Sequence, residues 1–153
     1  MAVDPIPPNY PRVSPYLSVE GAADAIRFYC DVLGATERGR MDGPDGKVGH
    51  AELSLGDAVI MLSDSMADMG APSPRSLGGS PVTLMVYVED ADAVFENAIS
   101  AGAKEIRPVE DQFYGDRSGQ FEDPWGHHWN VATHVEDVPP DEMERRAARA
   151  MSG

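Results

Sequence analysis

Apolar and polar residues alternate along several short stretches of this chain, and that alternation predicts strands with one oily face. Over residues 13–19 the apolar set is Val13, Pro15, Leu17 and Val19, against Ser14, Tyr16 and Ser18. Over 82–88 it is Val82, Leu84, Val86 and Val88, against Thr83, Met85 and Tyr87. Lys47–Leu55 and Ala58–Ser63 flank Gly56-Asp57 and predict a hairpin. Counting outward from Leu55 and Ala58 puts Glu52 opposite Met61 and His50 opposite Ser63, and opposed residues share a face. One face is then Ala51, Leu53, Leu55, Ala58, Ile60 and Leu62; the other is His50, Glu52, Ser54, Val59, Met61 and Ser63. A second tight turn, Asp123-Pro124-Trp125-Gly126, precedes a strand in which Trp129 and Val131 alternate with His128, Asn130, Ala132 and His134.

The elements repeat. Val19-Glu20-Gly21-Ala22-Ala23-Asp24-Ala25-Ile26 returns in outline at Val88–Val94, and Leu33-Gly34-Ala35 returns as Ala101-Gly102-Ala103. Each copy reads as a strand, an acidic helix start, a helix, and a Gly that stops it. Extended segments follow, so the chain reads as two βαβββ modules, an α+β fold with helices on the outer face of each cupped mixed sheet. The expected organisation is an extended N-terminal segment (1–12), a first module (13–63), a linker able to act as a lid (64–80), a second module (81–135) and a tail (136–153). In the tail, Pro139-Pro140 starts a helix running through about Met151.

Composition narrows the function. The 153 residues carry 26 acidic and 12 basic side chains, a net charge of −14, which disfavours nucleic acid and anionic membranes as partners. No apolar run reaches the roughly 20 residues of a membrane span, the start lacks a signal-peptide pattern, and one cysteine makes no internal disulfide. The expectation is a cytoplasmic protein. The mixed sheet face is too polar for a core and too rich in Tyr and Met for a plain solvent face. It suits a ligand cleft; the plainer reading is a half-wet antiparallel sheet.

The stretch Leu17–Gly34, with Phe28 and Tyr29 in the predicted helix, resembles the opening of the vicinal-oxygen-chelate superfamily of glyoxalases, bleomycin-resistance proteins and extradiol dioxygenases. Asp111–Trp129, which holds Tyr114-Gly115-Asp116-Arg117 and Asp123-Pro124-Trp125-Gly126-His127-His128, looks like the signature of its PhnB-like branch. The resemblance implies paired βαβββ modules, commonly completed as a homodimer, with a small molecule in the cleft. In metal-dependent members four strands each give one ligand, His or Gln, Glu, His and Glu. Those positions fall here on Ser14, Met61, Thr83 and Asn130, so no metal cofactor is expected.

Candidate ligand-binding residues are therefore Ser14, Tyr16, Met61, Thr83, Tyr87, His128 and Asn130, with Trp125 and Trp129 as further stacking surface. Glu52 and His50 are the candidate catalytic pair, with Glu52 as base if burial raises its pKa; the alternative is a solvated pair at a strand end. His127 reads as structural, Asp116 and Arg117 as a loop-fixing salt bridge, Phe28 and Tyr29 as core, and Cys30 as a buried thiol. Two functions stay open. One is a metal-independent protein that sequesters a cationic or aromatic compound. The other is a lyase or isomerase working by proton transfer in the cleft, metal-free or with an atypical divalent site.

Overall fold

The computed structural model describes residues 2–152, which fall into two units meeting between Ser80 and Pro81. The first holds β1 (Tyr16–Val19), α1 (Ala22–Leu33), β2 (Thr36–Asp42), β3 (Val48–Leu55), β4 (Ala58–Asp64) and a short α2 (Pro74–Leu77). The second holds β5 (Thr83–Tyr87), α3 (Ala91–Ser100), β6 (Lys104–Asp111), β7 (Asp116–Glu122), β8 (His128–His134) and α4 (Pro140–Ser152). The sheets share one topology, β1-β4-β3-β2 and β5-β8-β7-β6, with a parallel pair at one edge and antiparallel ladders elsewhere. The fold is α+β and glyoxalase-like.

The predicted hairpin register is the observed one. Leu55 pairs with Ala58 and Glu52 with Met61. Ala51, Leu53, Ile60 and Leu62 are all buried, and α1 packs on β2, β3 and β4. Its Ala22, Ala25, Ile26, Tyr29, Val32 and Leu33 recur at three- and four-residue spacing, which makes one buried stripe. Each large side chain buried there contributes about 1.5–3 kcal/mol. In the second unit Phe95 of α3 meets Phe121 of β7 edge-on, with centroids 6.3 Å apart, above Trp129 and Val131.

Two strands start later than the alternation suggests. Val13 is 85% and Val82 59% exposed, so neither joins its apolar face. Pro15 stands directly before β1, and a residue without an N–H cannot extend a ladder. Pairing of β1 begins at the carbonyl of Pro15, which accepts from the N–H of Met61 at 3.0 Å.

Side-chain hydrogen bonds join the 64–80 stretch to the rest of the first module. Ser73 is fully buried, donates to Glu20 Oε2 at 2.6 Å and caps α2 through the N–H of Ser76. Ser18 Oγ donates to the Ala71 carbonyl. Asp64, at the end of β4, accepts from the N–H groups of Gly21, Ala22 and Val48 and so caps α1 from across the module. Arg146 moors α4, donating to the Phe113 carbonyl and to Glu136.

Candidate functional site

The face of the first sheet turned away from α1 carries a continuous run of hydrogen-bonded side chains. Tyr10 Oη donates to Glu52 Oε1 at 2.6 Å. His50 Nε2 lies 2.9 Å from Glu52 Oε2, and His50 Nδ1 lies 2.8 Å from Tyr16 Oη. With the ring proton on Nε2, Tyr16 donates to the imidazole and the imidazole donates to Glu52. Strand period explains part of the run: His50 and Glu52 are two apart on β3, and Tyr16 and Glu52 both pair with Met61 of β4. Tyr10 arrives from outside the sheet, after a turn closed by its N–H on the Pro7 carbonyl. The Arg38 guanidinium sits 4.8 Å from the centre of its ring.

Hydrogen bonds from Tyr10 and then His50 hold the Glu52 carboxyl below the usual glutamate range, against a smaller opposing push from burial. The upward shift that a general base at Glu52 would need does not occur, because two donors favour the charged form more than partial burial disfavours it. The same bond raises the Tyr10 phenol. Beside the run lies an open groove of about 490 Å³, with Tyr10, Ser14, His50, Glu52 and Met61 on its walls. That volume suits a small organic molecule.

The second sheet has its own polar face. Tyr87 Oη donates to Asp116 Oδ2 at 2.7 Å, and His134 Nδ1 lies 2.9 Å from Asp116 Oδ1. His134 Nε2 reaches Asp137, and these bonds, Asp137 first and Asp116 second, raise the imidazole above its ordinary pKa. His128 pairs with Glu122 directly opposite on β7, at 3.0 Å. Thr83 and Met85 on β5 stand beside His128 and Asn130 in the parallel register. Asn130 Oδ1 is buried without a hydrogen-bond partner, at a small polar cavity that Arg107, Ser118 and Gln120 also line.

The nine sequence-predicted residues divide between the units. Ser14, Tyr16, His50, Glu52 and Met61 line one face of the first; Thr83, Tyr87, His128 and Asn130 share one face of the second. Three assignments change. Trp125 and Trp129 are 8% and 2% exposed, so they belong to the core and not to a stacking surface. Arg117 does not pair with Asp116; it grips Asp92 with two bonds and Asp111 with a third, while Asp116 turns to Tyr87 and His134. Neighbouring residues on a strand point to opposite faces, which separates the two. Phe28 and Tyr29 are buried as expected, and burial, ahead of Glu37 and Asp31, raises the half-buried Cys30 thiol.

Sequence reasoning missed Tyr10 and Arg38. Tyr10 lies in a proline-rich stretch with no periodicity, and its one signal was being the sole aromatic among the first twelve residues. Arg38 sits at a bulge in β2, where period two breaks down.

The four family metal positions hold two hydroxyls, a thioether and a carboxamide, a poor donor set for a divalent ion. Among the described residues no three His, Cys, Asp or Glu side chains converge on one point.

Two modules of this topology, each with a polar sheet face, define a glyoxalase-like protein. The chain belongs to the Glyoxalase/Bleomycin resistance protein/Dioxygenase superfamily, whose family model matches residues 12–131. An uncharacterized protein of Mycobacterium bovis is 46% identical over 137 residues, covering 88% of this chain and 90% of its own. Among solved structures, TioX from Micromonospora sp. ML1 is similar at 25% identity and a TM-score of 0.62, over 82% of this chain and 99% of its own. The PhnB protein of Bacillus cereus shares the fold at 19% identity and a TM-score of 0.65, over 80% of this chain and 99% of its own.

Proposed function

We propose that this chain is a metal-independent small-molecule-binding protein, acting as a cytoplasmic homodimer, that holds a cationic or aromatic compound against the polar sheet face of its first module. The observation that carries the reading is the state of Glu52: both carboxylate oxygens accept hydrogen bonds and the group is held ionised beside an open groove. An ionised carboxylate bordered by Tyr16, His50 and Met61 attracts a ligand that brings a positive charge or a hydrogen-bond donor together with apolar surface. The net charge of −14 raises the local concentration of cations. Exposed apolar residues such as Met85 and Tyr87 support pairing with a second copy.

The reading as a lyase or isomerase is the weaker one. A carboxylate lowered below its usual range is a poor base near neutrality, where proton transfer works best with a matched pKa.

Calorimetric titration of the wild-type protein with millimolar cationic and aromatic compounds, with and without a chelator, tests the proposal. The expected result is saturable binding that the chelator leaves unchanged and that Glu52→Gln weakens about ten-fold. Silence across the panel overturns it, as does binding that survives Glu52→Gln unchanged. Light scattering reports the dimer.

A further inference from the structure

We infer that Tyr10 occupies the first module's site as a built-in stand-in for its ligand, and that the ligand is a small phenol. The inference rests on the proposed binding function of that face and adds the chemical class of the ligand and the competitor that guards the site.

Tyr10 belongs to neither the helices nor the strands. It hangs on a segment with Pro5, Pro7, Pro8 and Pro11, yet it makes the shortest contact in the cluster, 2.6 Å to Glu52. Three features receive it. Glu52 Oε1 takes the phenolic hydrogen, the Arg38 guanidinium covers the ring face, and His50 holds the other carboxylate oxygen so that Oε1 stays directed at the hydroxyl. An acceptor for one hydroxyl and a cation over one ring are what a free phenol needs, and nothing in that reception depends on the tyrosine backbone. The groove of about 490 Å³ adjoins the ring, and its wall includes the Met61 thioether, so a substituted phenol has room to extend where Tyr10 has only its chain.

The tether sets the competition. A segment stiffened by prolines presents Tyr10 at a high local concentration, so a free phenol binds only the fraction of molecules from which the side chain has swung away. Removing the Tyr10 ring removes that competitor and leaves Glu52, Arg38 and His50 in place.

The test is titration of the full-length protein with p-cresol, followed by calorimetry and by NMR of ring-labelled tyrosine. The Tyr10→Ala variant is expected to bind p-cresol about ten-fold or more tightly than wild type. In wild type, p-cresol is expected to shift the Tyr10 ring signal towards that of a free tyrosine. Glu52→Ala in the Tyr10→Ala background is expected to abolish the binding, and p-methylanisole, which has no hydroxyl to donate, is expected not to compete. An unchanged far-ultraviolet circular dichroism spectrum and melting temperature check that Tyr10→Ala keeps its fold. Equal affinity in wild type and Tyr10→Ala, or no binding to Tyr10→Ala, overturns the inference. If other compounds still bind at Glu52 while p-cresol does not, the binding function stands and only the phenol and the stand-in role fall. If no compound binds to either protein, both fall.

Discussion

The indole N–H of Trp129 donates to Asp123 Oδ2 at 2.9 Å, inside the second module and away from its polar face. Asp123 also accepts from the backbone N–H groups of Trp125 and His127, so one buried carboxylate organises the whole turn between β7 and β8. The densest motif in the sequence is thus scaffolding. It sets the register that lays His128 opposite Glu122 and Asn130 opposite Gln120.

Replacing Asp123 with Ala should strand three donors in the interior, at a cost of about 2–4 kcal/mol. Asp123→Asn, which keeps one acceptor oxygen, should cost less. Urea midpoints followed by tryptophan fluorescence measure both, and equal midpoints for Asp123→Ala and wild type would contradict the role.

Asp64 should add to acid-sensitive stability in the first module. Burial raises its pKa, but the donors from Val48, Ala22 and Gly21 outweigh burial and leave it lowered. A lowered folded pKa contributes stability that is present above the ordinary value and lost as pH falls through the folded one. Wild-type stability should therefore decline below about pH 4. Asp64→Asn should cost about 1–3 kcal/mol at neutral pH, because its amide sets a donor against a backbone donor, and should flatten the acid limb. Thermal melts from pH 3 to 7 read both effects.

His134 should behave in the reverse sense. Its raised pKa means its contribution is complete below about pH 6.5 and is lost as pH rises through the folded value. NMR titration of the imidazole should find a midpoint above that of a free histidine. Asp137→Ala, which removes the leading cause, should bring the midpoint down.

Gly115 has a φ of 100°, and a Cβ there would run into the carbonyl of Glu136. Its own carbonyl accepts from the N–H groups of both Val135 and Glu136. Gly115→Ala should destabilise the second module by about 2–4 kcal/mol through backbone strain and this overlap. A melting temperature that does not fall would contradict the argument.

Much of the first module was legible in the sequence because period two and a two-residue turn determine a hairpin locally. Leu55 facing Ala58 leaves Glu52 no partner but Met61, and Ala51, Leu53, Ile60 and Leu62 follow onto the buried face. The repeat, the helix stops and the turn at Asp123–Gly126 are local signals of the same kind. Proline sharpened the start of β1 only after the ladders could be seen, since a missing N–H matters only where a neighbouring strand would have used it.

What the tertiary structure decided is which polar groups meet. Alternation put His50 and Glu52 on one face but had no means of bringing Tyr10 to them, because 42 residues and a segment without period lie between donor and acceptor. That contact, with the one from His50, holds the Glu52 carboxyl below its usual range. The adjacent Asp116 and Arg117 likewise parted to distant partners, one to Tyr87 and His134, the other to Asp92 and Asp111. Periodicity is a property of neighbours along the chain, so the sequence by itself determined the faces. Hydrogen bonds form between neighbours in space, and only the packed chain decided those.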